Sequence, residues 1–391
     1  MQRRHQDVPM RVAKSRQKKI TGYRATVVQE VGNHAETSSR HRRLAQIGQY
    51  AKLGPGSKTV KYRVDEGVNE TLKQLFVKAT EAWKTGTCLE FEHDESETEG
   101  VSLAYQPGPC YAMGKYVIIG DSCFDVGGVA HELGHALGLG HAHNRIDRDD
   151  YIDINEKNIE VFMGEYQKMT EEEENNYTAP YDFGSIMHYA PNLKNPSMSP
   201  KDKNYNRTMG SPFVSFLDRY IINQHYNCKE KCASTESPQC QNKGFQDPKN
   251  CSACVCPGGY GGQLCDQKPN ACGSKLNAEQ DWNNVTEVIY KHEGDSDYSL
   301  CTTWIESPEG TKIEIKIASI TNPLEGPGCA KAGIEIKTNE DPRLTGYRFC
   351  SKDDADIILT SSSNRVPIIT YSWDSTERLY AVLFYRQGKP P

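Results

Sequence analysis

Residues 131 to 141 read H-E-L-G-H-A-L-G-L-G-H, and this run constrains the fold more than any other stretch of the 391-residue chain. His131 and His135 are four apart, so a helix through them sets both imidazoles on one face. Val126, Val129, Ala130, Leu133 and Leu137 recur at helical spacing and gather on the opposite face, so one side packs while the histidines face a cleft. His141 lies six residues beyond His135, off that face if the helix continued, and Gly138 and Gly140 let the chain turn first. Three imidazoles brought together in this way are the ligand set of a catalytic zinc, one ion with one coordination position left open. Glu132 projects about 100° around the helix from His131, toward a water on the metal rather than the metal itself. It is the candidate general base.

Fourteen cysteines, none before Cys88 and six between Cys232 and Cys265, predict a disulfide framework and an extracellular destination. A thiolate metal site is the alternative for the cluster of six. No stretch is apolar for long enough to span a bilayer, and the length suits two or three domains. Residues 1–43 carry eleven Lys and Arg against three Asp and Glu, although the whole chain has a net charge of −6. This arm lacks interleaved aromatics and leads an acidic, cysteine-rich body, so no nucleic-acid partner is expected. It reads as a removable segment, with Arg40-His41-Arg42-Arg43 fitting a secretory convertase site that would leave Leu44 as the new terminus. It has no apolar run of signal-peptide type. A true start upstream of this sequence would reconcile that with the cysteines.

Periodicity predicts a strand over Val60–Val64, a helix through Val68, Leu72, Leu75, Phe76, Ala79 and Trp83, and strands at Leu89–His93, Val101–Tyr105 and Tyr116–Ile119. The last of these is the strand expected to receive an extended peptide. A charged helix is expected through Asn158–Glu174, with Glu171–Glu174 as a solvated face. A long surface loop follows at Asn192–Phe213, then a helix at Phe216–Tyr226. Cys232–Cys265 is a small unit that needs its disulfides to fold. Lys312–Ile317, Ala332–Lys337, Ala355–Thr360, Val366–Tyr371 and Leu379–Phe384 alternate or run apolar between polar turns, as in an antiparallel sandwich. Glycosylation sequons begin at Asn69, Asn176, Asn206, Asn250 and Asn284.

The histidine motif together with Ser185-Ile186-Met187-His188-Tyr189 resembles the metzincin metallopeptidases, and within them the astacin family. Asp147-Arg148-Asp149-Asp150-Tyr151-Ile152 and the Thr87-Cys88 and Tyr226-Asn227-Cys228 pairs are similar to further astacin motifs. The trailing modules resemble those of many nematode astacins. The resemblance spans roughly residues 50–391 and implies a multidomain α+β chain. After the 1–43 segment comes a catalytic domain at 44–230, with a mixed twisted sheet, a zinc-binding helix and an irregular C-terminal subdomain. An EGF-like module at 231–267 and an all-β CUB-like sandwich at 270–391 follow.

By the same resemblance His131, His135 and His141 bind zinc, Glu132 is the base, Met187 floors the metal and Tyr189 swings from it to stabilise the oxyanion. The implied disulfides are Cys88–Cys228, Cys110–Cys123, Cys232–Cys251, Cys240–Cys254, Cys256–Cys265, Cys272–Cys301 and Cys329–Cys350. The implied activity is that of a secreted zinc endopeptidase with protein or peptide substrates, its CUB-like domain meeting an extracellular matrix or cuticle partner. The competing reading is an extracellular binding or adhesion protein that acts through the CUB-like domain over a weak or inactive protease module.

Four departures limit what carries over. Ala142 stands where astacins have a glutamate that anchors the activated N-terminus, and the leading arm lacks the F-x-G-D segment that confers latency. Cys110 and Cys123 enclose only twelve residues, so an altered cleft rim is expected. Ala332-Gly333 occupy a region where calcium-binding CUB modules carry an aspartate, and calcium is not expected there.

Overall fold

Strand β1 (Thr59–Val64) opens a five-stranded sheet in a computed structural model that describes residues 58–388, apart from 161–162, 193, 270–271, 292–297 and 374–377. The basic arm, the Arg40–Arg43 site and Leu44 lie outside the described residues. With β2 (Glu90–His93), β3 (Val101–Tyr105), β4 (Tyr111–Met113) and β5 (Tyr116–Ile119), the strand order is β2-β1-β3-β5-β4. β1, β2, β3 and β5 are parallel, while β4 runs antiparallel to β5 and forms the edge. Tyr116–Ile119 is therefore an interior strand, and the expectation that it receives a peptide passes to β4, whose Tyr111 and Met113 are exposed. Three residues between Cys110 and Gly114 are too few for alternation to mark.

Helix α1 (Glu70–Lys84) starts where the Asn69 side chain accepts a hydrogen bond from the Leu72 amide at 2.9 Å, a cap typically worth about 1 kcal/mol. It buries Leu72, Phe76, Ala79 and Trp83 in a core shared with α2 (Val126–Ala136). Trp83 donates its indole N–H to the Ala130 carbonyl at 2.9 Å, which satisfies a buried donor and ties the two helices together. α2 is capped by Asp125 and buries Val129, Ala130, Leu133 and Ala136, the face its spacing predicts.

Beyond α2 the chain is irregular. The described residues of 158–174 do not form the expected helix: α3 (Glu156–Ile159) is one turn, and a 3-10 turn stands at Met163–Tyr166. Tertiary partners take the hydrogen bonds a helix would use, since Asn144 Nδ2 donates to the Glu165 carbonyl at 2.9 Å and Met169 N donates to the Asn144 carbonyl at 2.7 Å. Glu174 is also not solvated; its carboxylate accepts from the Ile146 amide at 2.6 Å. The stretch expected as a surface loop is anchored, because β7 (Met198–Pro200) pairs with β6 (Ile152–Ile154) and Met198, Tyr205 and Met209 are buried. α4 (Phe216–His225) begins with a Ser215/Asp218 capping box.

The cysteine-rich unit holds one hairpin, β8 (Phe245–Asp247) and β9 (Asn250–Val255). Two sheets follow. One has the order β10-β12-β17-β14-β15, from Lys275–Asn277, Ser299–Glu306, Arg365–Ser372, Ala332–Ile336 and Tyr347–Phe349. The other is β11-β18-β13-β16, from Asn283–Ile289, Leu379–Gly388, Lys312–Thr321 and Ile358–Thr360. Among the described residues nine strands stand where alternation marks five, because β11 and β12 carry Asn, Thr, Ser and Glu among their apolar residues. All fourteen cysteines are in disulfides, paired 88–228, 110–123, 232–251, 240–254, 256–265, 272–301 and 329–350, so none of the cluster of six is a free thiol.

The sandwich packs directly on the irregular half of the first domain. Arg207 reaches Asp354 at 2.8 Å, Arg348 reaches Ser211 at 2.8 Å, and Gly328 meets Gly210 so closely that a Cβ on it would fall 1.9 Å from the Gly210 carbonyl oxygen. Trp304 donates to the Gly259 carbonyl at 2.7 Å and so clasps the cysteine-rich unit from the other side.

Candidate metal centre

The three imidazoles of the motif converge. His141 Nε2 lies 3.2 Å from His131 Nε2 and 3.0 Å from His135 Nε2. Among the described residues this is the group of three whose ligand atoms could hold one metal ion. α2 supplies the first two, and the turn after it supplies the third: Gly138 has φ +100°, which an L side chain rarely adopts, and Leu139 N bonds back to the Gly134 carbonyl at 3.0 Å.

The rings are oriented from behind. His131 Nδ1 faces the Ile186 carbonyl at 2.7 Å and His135 Nδ1 faces the Leu139 carbonyl at 2.8 Å. Each Nδ1 therefore carries the proton, and the Nε2 lone pairs point at one another. Burial keeps all three rings neutral: His131 is lowered, His135 is lowered to about 3 with help from His131, and His141 is held well below the usual range. Three neutral acceptors facing each other have nothing to donate, so the donor set fits a zinc ion.

Glu132 is 8% exposed, and burial pushes its carboxyl up to about 8, against a downward pull from the Ala112 backbone on β4. Met187 is buried beneath α2, where Gly134 leaves room for it: a Cβ there would fall 2.6 Å from the Met187 sulfur. Tyr189 lies against His141, with ring centroids 4.2 Å apart, and stacks on His143 at 4.4 Å. Burial raises its phenol well above the ordinary value.

Sequence reasoning misses three residues. His143 is fully buried, its Nδ1 accepting from the Tyr189 amide at 3.5 Å, and the only sequence signal for it is a fourth histidine two places past the motif. Asp218 accepts from Ser185 Oγ at 2.5 Å and from the Ile186 amide at 2.9 Å, which fixes the Met187 turn. Asp182 braces the same turn. Ala142 lines a cavity with Glu174, Asp182 and Asp218, and each of these carboxylates already has hydrogen-bond partners.

Of the sequon asparagines, Asn69, Asn206, Asn250 and Asn284 are exposed. Asn176 differs: it is half-buried, and its Nδ2 donates to Glu174 at 3.1 Å. No helix among the described residues is long and apolar enough to cross a membrane.

Residues 50–227 match the family model described as Astacin, a peptidase family. Over 371 residues the chain is 37% identical to zinc metalloproteinase nas-31 of Caenorhabditis elegans, covering 90% of this chain and 59% of that protein. It is 34% identical to zinc metalloproteinase nas-25 of the same organism, covering 86% of this chain and 88% of that one. It spans 66% of zinc metalloproteinase nas-29, so it is shorter than several of its relatives. Among solved structures, high choriolytic enzyme 1, a hatching enzyme zinc-protease from Oryzias latipes, is 29% identical, covering 46% of this chain and 94% of that one with a TM-score of 0.40.

Proposed function

Because the chain belongs to the astacin family of peptidases, we propose that it is a secreted zinc-dependent endopeptidase acting on extracellular proteins. The observation that carries this reading is the convergence of three neutral imidazoles beside a buried carboxylate on the helix that supplies the first two of them.

When bound, zinc supplies Lewis acidity toward a water molecule and the scissile carbonyl. His131, His135 and His141 would hold it, the first two rings set by the Ile186 and Leu139 carbonyls. Glu132 takes a proton from the attacking water and returns it to the leaving amine, a role its place on α2 beside His131 and its contact with the Ala112 backbone allow. Tyr189 keeps its proton at neutral pH and donates it in a hydrogen bond to the tetrahedral oxyanion, a contact typically worth about 3 kcal/mol. The edge strand β4, whose Ala112 backbone meets Glu132, offers its outer hydrogen-bonding groups to an extended substrate.

The unit at 231–267 is read as EGF-like, supported by cysteines paired first to third, second to fourth and fifth to sixth. The sandwich at 270–391 is read as CUB-like, supported by its two sheets and two disulfides. Seven disulfides suit an extracellular setting. The complete set of ligands, base and phenol favours catalysis over a purely adhesive role, since a scaffold has no use for a buried base. Cleavage of casein or denatured collagen by the full chain, with and without a zinc chelator and beside Glu132→Ala, tests the proposal. Equal turnover by that variant would sink it.

A further inference from the structure

Asp182 stands where the sandwich meets the turn that carries Met187. Its side chain is buried, and its Oδ1 accepts from two amides, Gly184 N at 3.2 Å within the turn and Thr345 N at 3.1 Å from the sandwich. Its Oδ2 accepts from the Thr345 hydroxyl at 3.2 Å. The approach is close: a Cβ on Gly184 would fall 2.3 Å from the Thr345 side chain.

The turn in question holds two of the three imidazoles. The Ile186 carbonyl faces His131 Nδ1 at 2.7 Å, and the Met187 carbonyl accepts from the amide of Ala142, next to His141, at 2.9 Å. Hydrogen bonds joined by the turn's own backbone from Gly184 to Met187 therefore lead from Thr345 through Asp182 to His131 and to the segment of His141. The sandwich end of this run is itself fixed. Gly346 N donates to Glu335 at 2.9 Å, and Arg348 N donates to the Thr208 hydroxyl at 3.0 Å across the interface.

We propose that Thr345 and Asp182 are a positioning pair through which the C-terminal sandwich holds the Met187 turn, and so His131 and His141, in metal-binding geometry. The sandwich is on this view a working part of the metal centre and not only a module for localisation. The inference rests on the zinc-peptidase reading above. Its physical basis is that a buried carboxylate deprived of a donor is costly and shifts to recover one. Groups that orient metal ligands typically cost about 10- to 100-fold in affinity or activity when removed.

The test compares Thr345→Val, which keeps the shape and deletes the hydroxyl, with Thr345→Ser, which keeps the hydroxyl, in the full chain. Arg207→Ala is the control, since it removes the ion pair with Asp354 at the same interface without touching Asp182. Two quantities are read: the rate of zinc loss to a chromophoric chelator, and kcat and KM on a fluorogenic peptide. The valine variant is expected to lose zinc about tenfold faster and to drop kcat by a similar factor with KM within about twofold, while the serine variant and the control stay near wild type. A valine variant that matches wild type, or a control or serine variant as impaired as the valine one, overturns the pairing. A wild-type chain that holds no zinc and cleaves nothing overturns instead the reading on which it rests.

Discussion

Met187 fills the space that a side chain at position 134 would need: a Cβ built on Gly134 falls 2.6 Å from the Met187 sulfur and 2.9 Å from the Trp83 ring. Glycine in mid-helix ordinarily costs about 1 kcal/mol against alanine, so contact, and not propensity, accounts for this one. Gly134→Ala is expected to destabilise the chain by about 1–3 kcal/mol, the usual cost of overpacking, although helix propensity alone predicts a gain. A urea melt with a lower midpoint and unchanged slope is the expected result. A raised midpoint would refute the packing argument.

Glu132→Gln preserves size and removes the base. Because the carboxylate touches the Ala112 backbone and not the imidazoles' meeting point, zinc content should stay at one ion per chain. kcat should fall by about 100- to 10,000-fold. Metal analysis and turnover on the same preparation separate the two effects, and loss of zinc in this variant would reassign Glu132 as a ligand.

Tyr189→Phe keeps the ring that lies over His141 and His143 and deletes only the donor. The expected result is a fall in kcat of about 100-fold with KM changed by little, the pattern of a contact made in the transition state. A variant impaired only in KM would place the phenol in substrate binding.

His188 makes stability depend on pH. It is buried between Tyr181, whose hydroxyl lies 2.8 Å from Nε2, and the Tyr189 carbonyl, 2.9 Å from Nδ1. Burial lowers its pKa to about 4. Once unfolded it protonates near 6.5, so the folded state binds fewer protons between these values. The stabilisation is complete above about pH 6.5 and is lost as pH falls toward 4, about 3 kcal/mol in all. Thermal midpoints of zinc-loaded protein should drop less between pH 7 and pH 4.5 for His188→Gln than for wild type. Parallel curves would remove His188 from the account.

What the sequence reveals and what it hides divides along physical lines. α1, α2 and α4 are legible because each buries one face and repeats it over ten or more residues. The meeting of His131, His135 and His141 is legible because helix spacing and two glycines fix it locally. The fate of residues 158–174 is not, since Asn144 and Arg148, outside that stretch, claim the Glu165 and Tyr166 carbonyls that a helix would have used. β4 is too short to show a period. Asp182, Asp218 and His143 are invisible because their roles depend on partners from 32 to 163 residues away.

The backbone contact between Gly210 and Gly328 limits what could replace the C-terminal sandwich. Any other sandwich grafted in its place would need a bare α-carbon at the same spot, and a donor opposite Asp182, to seat in the same way. The sandwich is therefore not an interchangeable part on a common thread; its joint is cut on both faces, and a chimera would have to carry both sides of it.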